Sequence, residues 1–253
     1  MKQNAVYIER KESIGVIYLN QPAKKNAISA VMMDLLVDYL HELEQDDDIR
    51  VIILRGEGSC FCAGGDLDQP GPKPITAEFS RKSLRRYTRA TRAIRDTSKP
   101  VVAMAAGYAV GGAVSLMLAC DLVCVAEDVK IIPNFCKIGL VPELGIMATL
   151  PAVVGPQRAK EILFFGERMT GADFFGLGLA NRVFPPDELE EGTMEFARQL
   201  AALPSLSLKI TKGIMNSTTD ATFSAVLDAE SIGSPFCSQG DEFKAIAAKF
   251  TGR

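Results

Sequence analysis

Three short, unbroken apolar runs constrain this chain more than any other feature: Val51-Ile52-Ile53-Leu54, Pro100–Ala105 and Leu122–Ala126. Each lacks the alternating polar face of a half-exposed strand and is too short for an ordinary helix, so each reads as a buried strand. Between them the apolar period changes. Ser29 can cap a helix running to about Glu44, whose Met32, Leu35, Leu36, Tyr39, Leu40 and Leu43 keep helical spacing. Glu78–Asp96 is a basic amphipathic helix with six arginines, and Gly111-Gly112 opens a short apolar helix reaching Cys120. Ahead of these, Ala5–Glu9 and Gly15–Leu19 read as paired strands bridged by Arg10–Ile14. From Pro142 onward the pattern is mainly helical, over Pro142–Pro151, Pro156–Phe165, Ala172–Leu177, Glu188–Ala201, Ser205–Asn216, Ala221–Ser231 and Gly240–Phe250. This order predicts an α/β core with a helical C-terminal portion, without internal repeats or an evident interdomain linker.

The 253 residues, 47% hydrophobic and 23% charged, are enough to bury a core without disulfide or metal staples, which excludes disordered and fibrous classes. A net charge of −3 with no long basic run argues against nucleic-acid binding. The six cysteines lie mostly in apolar stretches without a repeated CxxC, so they read as reduced core thiols and predict no metal site. Met1–Ser13 lacks the apolar core of a signal peptide, no apolar run reaches membrane-spanning length, and the C-terminus carries no Ser-Lys-Leu address. A cytoplasmic protein that binds no membrane is the expectation. His41 is the sole histidine and sits on a helix of surface character, which removes Ser-His-Asp and Cys-His catalysis. There is no Walker A motif and no GxSxG elbow, and Gly176-Leu177-Gly178 is a GxG without its third glycine. The chemistry has to come from carboxylates, backbone amides, hydroxyls or thiols.

Two glycine-bearing junctions follow strands: Ser59-Cys60-Phe61-Cys62-Ala63-Gly64-Gly65-Asp66 after Val51–Leu54, and Ala106–Gly112 after Pro100–Ala105. Small residues let backbone approach a ligand closely, and at the second junction a helix N-terminus presents free amides. Two such amides converging on one carbonyl oxygen would form an oxyanion hole.

In this order the segments resemble the crotonase superfamily, the enoyl-CoA hydratase/isomerase family. The resemblance rests on Gln21–Ser29, Phe61–Leu67, Lys99–Gly112 with Ala119-Cys120-Asp121, Pro204–Asn216 and Phe243–Arg253. It implies a ββα spiral core over residues 1–200 and a helical region over 201–253 that mediates assembly, as a homotrimer or dimer of trimers. It implies an acyl-CoA thioester substrate, with coenzyme A part of that substrate and no separate cofactor. By motif match, the oxyanion donors are the backbone amides of Cys62 and Gly112. Lys24, Lys25, Ala27, Ala63, Gly64, Asp66, Leu67, Gly111, Ser115 and Phe135 fall on the CoA and substrate side.

The resemblance also narrows the reaction. Hydratases of the family carry two glutamates, and their counterparts here are Ser115 and Phe135, which cannot form a general acid/base pair. Glu143, in Gly139-Leu140-Val141-Pro142-Glu143-Leu144-Gly145, matches the catalytic glutamate of the peroxisomal-type 3-enoyl-CoA isomerases. One carboxylate can take a proton from C2 and return it at C4, and the apolar neighbours should raise its proton affinity toward neutral pH. As the second residue of a helix starting at Pro142, Glu143 could instead serve only the helix dipole. Decarboxylation, thioester hydrolysis, hydration and a catalytically silent acyl-CoA-binding protein are the alternatives.

Overall fold

The computed structural model describes residues 4–66 and 76–251. β1 (Val6–Lys11) and β2 (Ile14–Leu19) form the expected antiparallel hairpin, with Ile8 opposite Ile17. α1 (Ala30–Gln45) follows, and the Ser29 side chain accepts from the Met32 amide at 3.2 Å, as its capping position predicts. β3 (Val51–Gly56), α2 (Ala77–Asp96) and β4 (Val101–Ala105) come next, and every residue of β4 is buried. The chain then makes β5 (Tyr108–Val110), α3 (Gly112–Ala119), β6 (Leu122–Ala126) and β7 (Lys130–Ile132). It closes with α4 (Ile146–Phe165), α5 (Gly171–Gly176), β8 (Arg182–Phe184), α6 (Leu189–Ala201), α7 (Ser205–Gln239) and α8 (Asp241–Thr251).

The main sheet runs β1-β2-β3-β4-β6-β8 and is parallel from β2 onward, while β5 and β7 pair parallel in a second, small sheet. The pairs β4/β5 and β6/β7 each add one strand to the large sheet and the next to the small one before a crossover, which is the turn of a ββα spiral. Cys62 extends the small sheet through a bridge to Ala109. The apolar core lies between the main sheet and its covering helices, with α6 packed across β2, β3, β4, β6 and β8 and α1 against β1 and β2. Among the described residues no helix is long and apolar enough to cross a membrane.

Several predicted boundaries move, each for a local reason. β5, β7 and β8 have three residues apiece, too few to show a period in the sequence. α4 begins at Ile146 rather than Pro142, because Leu144 (φ 64°) and Gly145 (φ 85°) are left-handed and hold the preceding segment out of the helix. The predicted break before Pro156 survives only as non-helical Gly155. The two helices expected over 205–231 are one 35-residue helix, α7. The polar stretch that suggested a break bonds back onto its own helix instead: Ser217, Thr218 and Thr219 donate to the carbonyls of Ile214, Met215 and Asn216 at 2.8, 2.8 and 3.0 Å.

Candidate active site

Residues 62–66 are zipped between two neighbours. On one side Ala63 N–H donates to the Lys25 carbonyl (2.9 Å), Ile28 N–H to the Gly64 carbonyl (2.7 Å) and Asp66 N–H to the Ile28 carbonyl (2.9 Å). On the other, Cys62 N–H donates to the Tyr108 carbonyl at 2.9 Å and Val110 N–H to the Cys62 carbonyl at 3.1 Å. Asn26, fully buried, ties the first neighbour down: its amide nitrogen donates to the carbonyls of Glu57 (2.9 Å) and Cys60 (2.7 Å). Gly64 has φ +88°, and a Cβ there would stand 2.7 Å from the Val110 carbonyl oxygen, so only glycine permits this close approach.

This geometry corrects the expected donor. The Cys62 amide is bonded within the small sheet and cannot also hold a ligand oxygen. Its thiol is no alternative, since burial pushes it up to about 12. Among the described residues no acceptor takes the Gly65 amide, and nothing lies within 4 Å of where a Gly65 Cβ would be. The Gly112 amide is likewise without an acceptor among the described residues, because Gly112 is the first residue of α3 and has no carbonyl one turn back. Ile28 stands between the two. Its backbone bridges to Gly65, and its Cδ1 is 3.2 Å from where a Gly112 Cβ would be.

The segment carrying Glu143 packs against the start of α3. Leu144, its neighbour, brings Cδ1 to 3.1 Å from the Gly112 Cβ position, and Ser115 of α3 donates its hydroxyl to the Glu143 carbonyl at 2.7 Å. Because α4 starts only at Ile146, Glu143 is not a first-turn residue, and the helix-dipole explanation loses its geometric basis. The Gly145 amide at that turn is taken by another acid, donating to both carboxylate oxygens of Glu230 at 3.0 and 3.2 Å. The Glu143 carboxylate instead accepts from the Ser234 hydroxyl. Burial pushes Glu143 up to about 7, with the Ser234 hydrogen bond pulling the other way.

The remaining predicted residues divide. Phe135 is buried with its ring 3.9 Å from the Gly111 Cβ position, and Ala27 is buried beside Ile28. Lys24 pairs with Asp66 at 2.7 Å, and the Lys25 ammonium lies 4.9 Å from the Tyr108 ring centre. Leu67 lies outside the described residues. Asp121 has the structural role its position implies, accepting from Val101 N–H and Lys212 Nζ, both at 2.7 Å. No three His, Cys, Asp or Glu side chains among the described residues converge to hold a metal ion. A cleft lined by Glu44, Arg50, Lys99 and Leu206 includes none of these site residues. Glu44 there is already satisfied by Thr97 and Ser98.

Gly65, Glu230 and Ser234 were not singled out from the sequence. Glu230 had a signal. It follows Phe223 and Leu227 at helical spacing, on the buried side of α7, where an acid needs a partner.

The spiral places this glycine pair and the desolvated Glu143 on adjoining segments. Residues 9–245 match the family model described as Enoyl-CoA hydratase/isomerase. The chain belongs to that family. Among enoyl-CoA hydratase/isomerase relatives it is 32% identical over 203 residues to 4-chlorobenzoyl coenzyme A dehalogenase-2 of an Arthrobacter species, covering 79% of this chain and 73% of that protein. It is 31% identical over 225 residues to 1,2-epoxyphenylacetyl-CoA isomerase of Escherichia coli K12, covering 87% and 85%. The crystal structure of an enoyl-CoA hydratase from Mycobacterium avium subsp. paratuberculosis superposes with a TM-score of 0.88 at 26% identity, covering 98% of this chain and 99% of that one. These names span three reactions on one scaffold, so membership of the enoyl-CoA hydratase/isomerase family does not select among them.

Proposed function

We propose that this chain is an acyl-CoA enzyme that isomerises 3-enoyl-CoA to 2-enoyl-CoA. The observation that carries the reading is Glu143, a carboxyl of raised proton affinity on a segment whose backbone and next residue pack against the start of α3. The amides of Gly65 and Gly112 hold the thioester oxygen, Gly65 taking the part first expected of Cys62. Their two hydrogen bonds stabilise the negative charge that builds on that oxygen when C2 loses a proton. Glu143 takes that proton, giving a dienolate and a neutral carboxylic acid, and returns it at C4. The double bond ends conjugated with the thioester. A carboxyl near neutrality suits both halves of the cycle, being basic enough to accept and acidic enough to give back. Lys25, with Lys24 beside it, faces the coenzyme phosphates. Hydration is disfavoured because the Ser115 hydroxyl is held by the Glu143 carbonyl and Phe135 is apolar.

Steady-state turnover of a 3-enoyl-CoA, followed by absorbance of the conjugated product, tests the reading. Conjugation that falls about a thousandfold or more in Glu143→Gln supports it. Wild-type protein that binds acyl-CoA without conjugating it, or Glu143→Gln protein that turns over normally, overturns it.

A further inference from the structure

The C-terminal half of α7 lies along the segment that carries Glu143. Phe223, Leu227, Glu230 and Ser234 fall on one side of the helix at spacings of four, three and four residues, and all four are buried. The Phe223 ring fills the space a Gly145 side chain would need, and Gly233 stands 3.6 Å, at its Cβ position, from Val141. Two polar members of this stripe act on the loop. Ser234 donates to the Glu143 carboxylate, and both carboxylate oxygens of Glu230 accept from the Gly145 amide. Leu144 and Gly145 have φ values of 64° and 85°, so the turn that presents this amide is left-handed at both residues. Leu144 is a branched residue in a conformation that L-residues avoid, and it persists only where its surroundings hold it.

We propose that α7 is the positioning element of the catalytic base: Ser234 orients the Glu143 carboxylate, and Glu230 holds the left-handed turn that aims it. The inference rests on Glu143 being the base. Neither residue is a catalytic residue, because Glu230 is fully buried and Ser234 acts through Glu143. A carboxyl with no exposure is costly to bury unless it is hydrogen-bonded, and the Gly145 amide meets both oxygens of Glu230. Here it holds a strained turn one residue from the reacting group. The groups that face Glu143 across the turn are Ser234 and Glu230 of α7, while α3 presents the uncharged Ser115 to its carbonyl. Ionisation of Glu143 in turn raises the proton affinity of Glu230, as expected of two acids on opposite sides of one turn.

The titration of Glu143 can be read without turnover, by NMR of protein labelled with carbon-13 at the glutamate side-chain carboxyls. Glu143→Gln identifies the resonance. Ser234→Ala removes a hydrogen bond to the charged form, so the Glu143 midpoint should move alkaline by about one pH unit, and Ser234→Thr should restore it. In the conjugation assay, Ser234→Ala and Glu230→Gln should each lower kcat by about tenfold or more, with KM changed less than about twofold. Glutamine offers one acceptor oxygen where the Gly145 amide meets two. An unmoved midpoint in Ser234→Ala, or kcat unchanged in both variants, overturns the proposal. A shifted midpoint in a protein that conjugates no 3-enoyl-CoA sustains the positioning role and rejects the isomerase reading instead. Ser234→Ala deletes a single hydroxyl, so the test stands if Glu230→Gln fails to fold.

Discussion

Replacing Lys212 by methionine should loosen the helix that positions the site, and its cost can be worked from the contacts. Lys212 Nζ donates to the carbonyls of Ile94 (3.1 Å) and Lys99 (3.0 Å) and to the Asp121 carboxylate (2.7 Å). Its side chain is 7% exposed, whereas that of Asp121 is 23% exposed. Breaking a buried pair by removing one partner costs about 3–5 kcal/mol when the remaining charge is fully enclosed. Water can still reach part of Asp121, which places the expected loss nearer about 2–3 kcal/mol. For a chain of this size that corresponds to a fall in Tm of roughly 5–10 °C. Urea titration of Lys212→Met, Asp121→Asn and the double variant measures the loss and its origin. The double variant removes the orphaned charge, so it should be more stable than Lys212→Met alone. A loss below about 0.5 kcal/mol, or strict additivity of the two single variants, would refute the claim that this pair anchors α7 as a coupled unit.

Two further predictions concern titrating groups. Glu143 is raised to about 7 and Glu230 to about 8, both above the ordinary glutamate value of 4.5, so the folded state binds these protons more tightly than the unfolded chain. Their contribution is fully present below about pH 4.5 and is lost as pH rises through 7 to 8. Urea midpoints should therefore fall between pH 5 and 8, and Glu230→Gln should flatten that fall. Parallel curves for the two proteins would contradict it. Cys62→Ala should keep kcat within about threefold of wild type, because the thiol is held protonated and the Cys62 amide is bonded to Tyr108. A loss of about a hundredfold in the conjugation assay would instead give the thiol a chemical role.

Much of the fold was legible because its signals are local. Val51–Leu54 and Leu122–Ala126 are apolar without alternation, and both are central strands. Ser29 caps its helix as its residue type predicts. The segments of the candidate site could be picked out as well, since strand-to-glycine junctions and the Gly139–Gly145 run are contiguous in the chain. What failed was assignment within them. Cys62 and Gly65 are three residues apart in one small-residue run, and nothing in that run says which amide has an acceptor. The answer is the carbonyl of Tyr108, supplied by a strand too short to predict. The start of α4 was misplaced for a similar reason. Proline at 142 is a good first helical residue, and only the left-handed turn at Leu144 and Gly145 moves the start to Ile146.

The sequence alone determined the longer strands and helices, the family, and the presence of one acid in the apolar Gly139–Gly145 segment. Those properties follow from residue type, period and contiguous motif, which are independent of what lies across the fold. Tertiary structure decided which backbone amides are free, that Glu143 stands outside the helix, and that its carboxyl meets Ser234 while Glu230 takes the adjacent turn. Hydrogen bonding and desolvation depend on partners brought from 46 residues away in one case and 91 in the other (108 minus 62; 234 minus 143). Such partners become neighbours only once the spiral has closed and α7 has packed back over it.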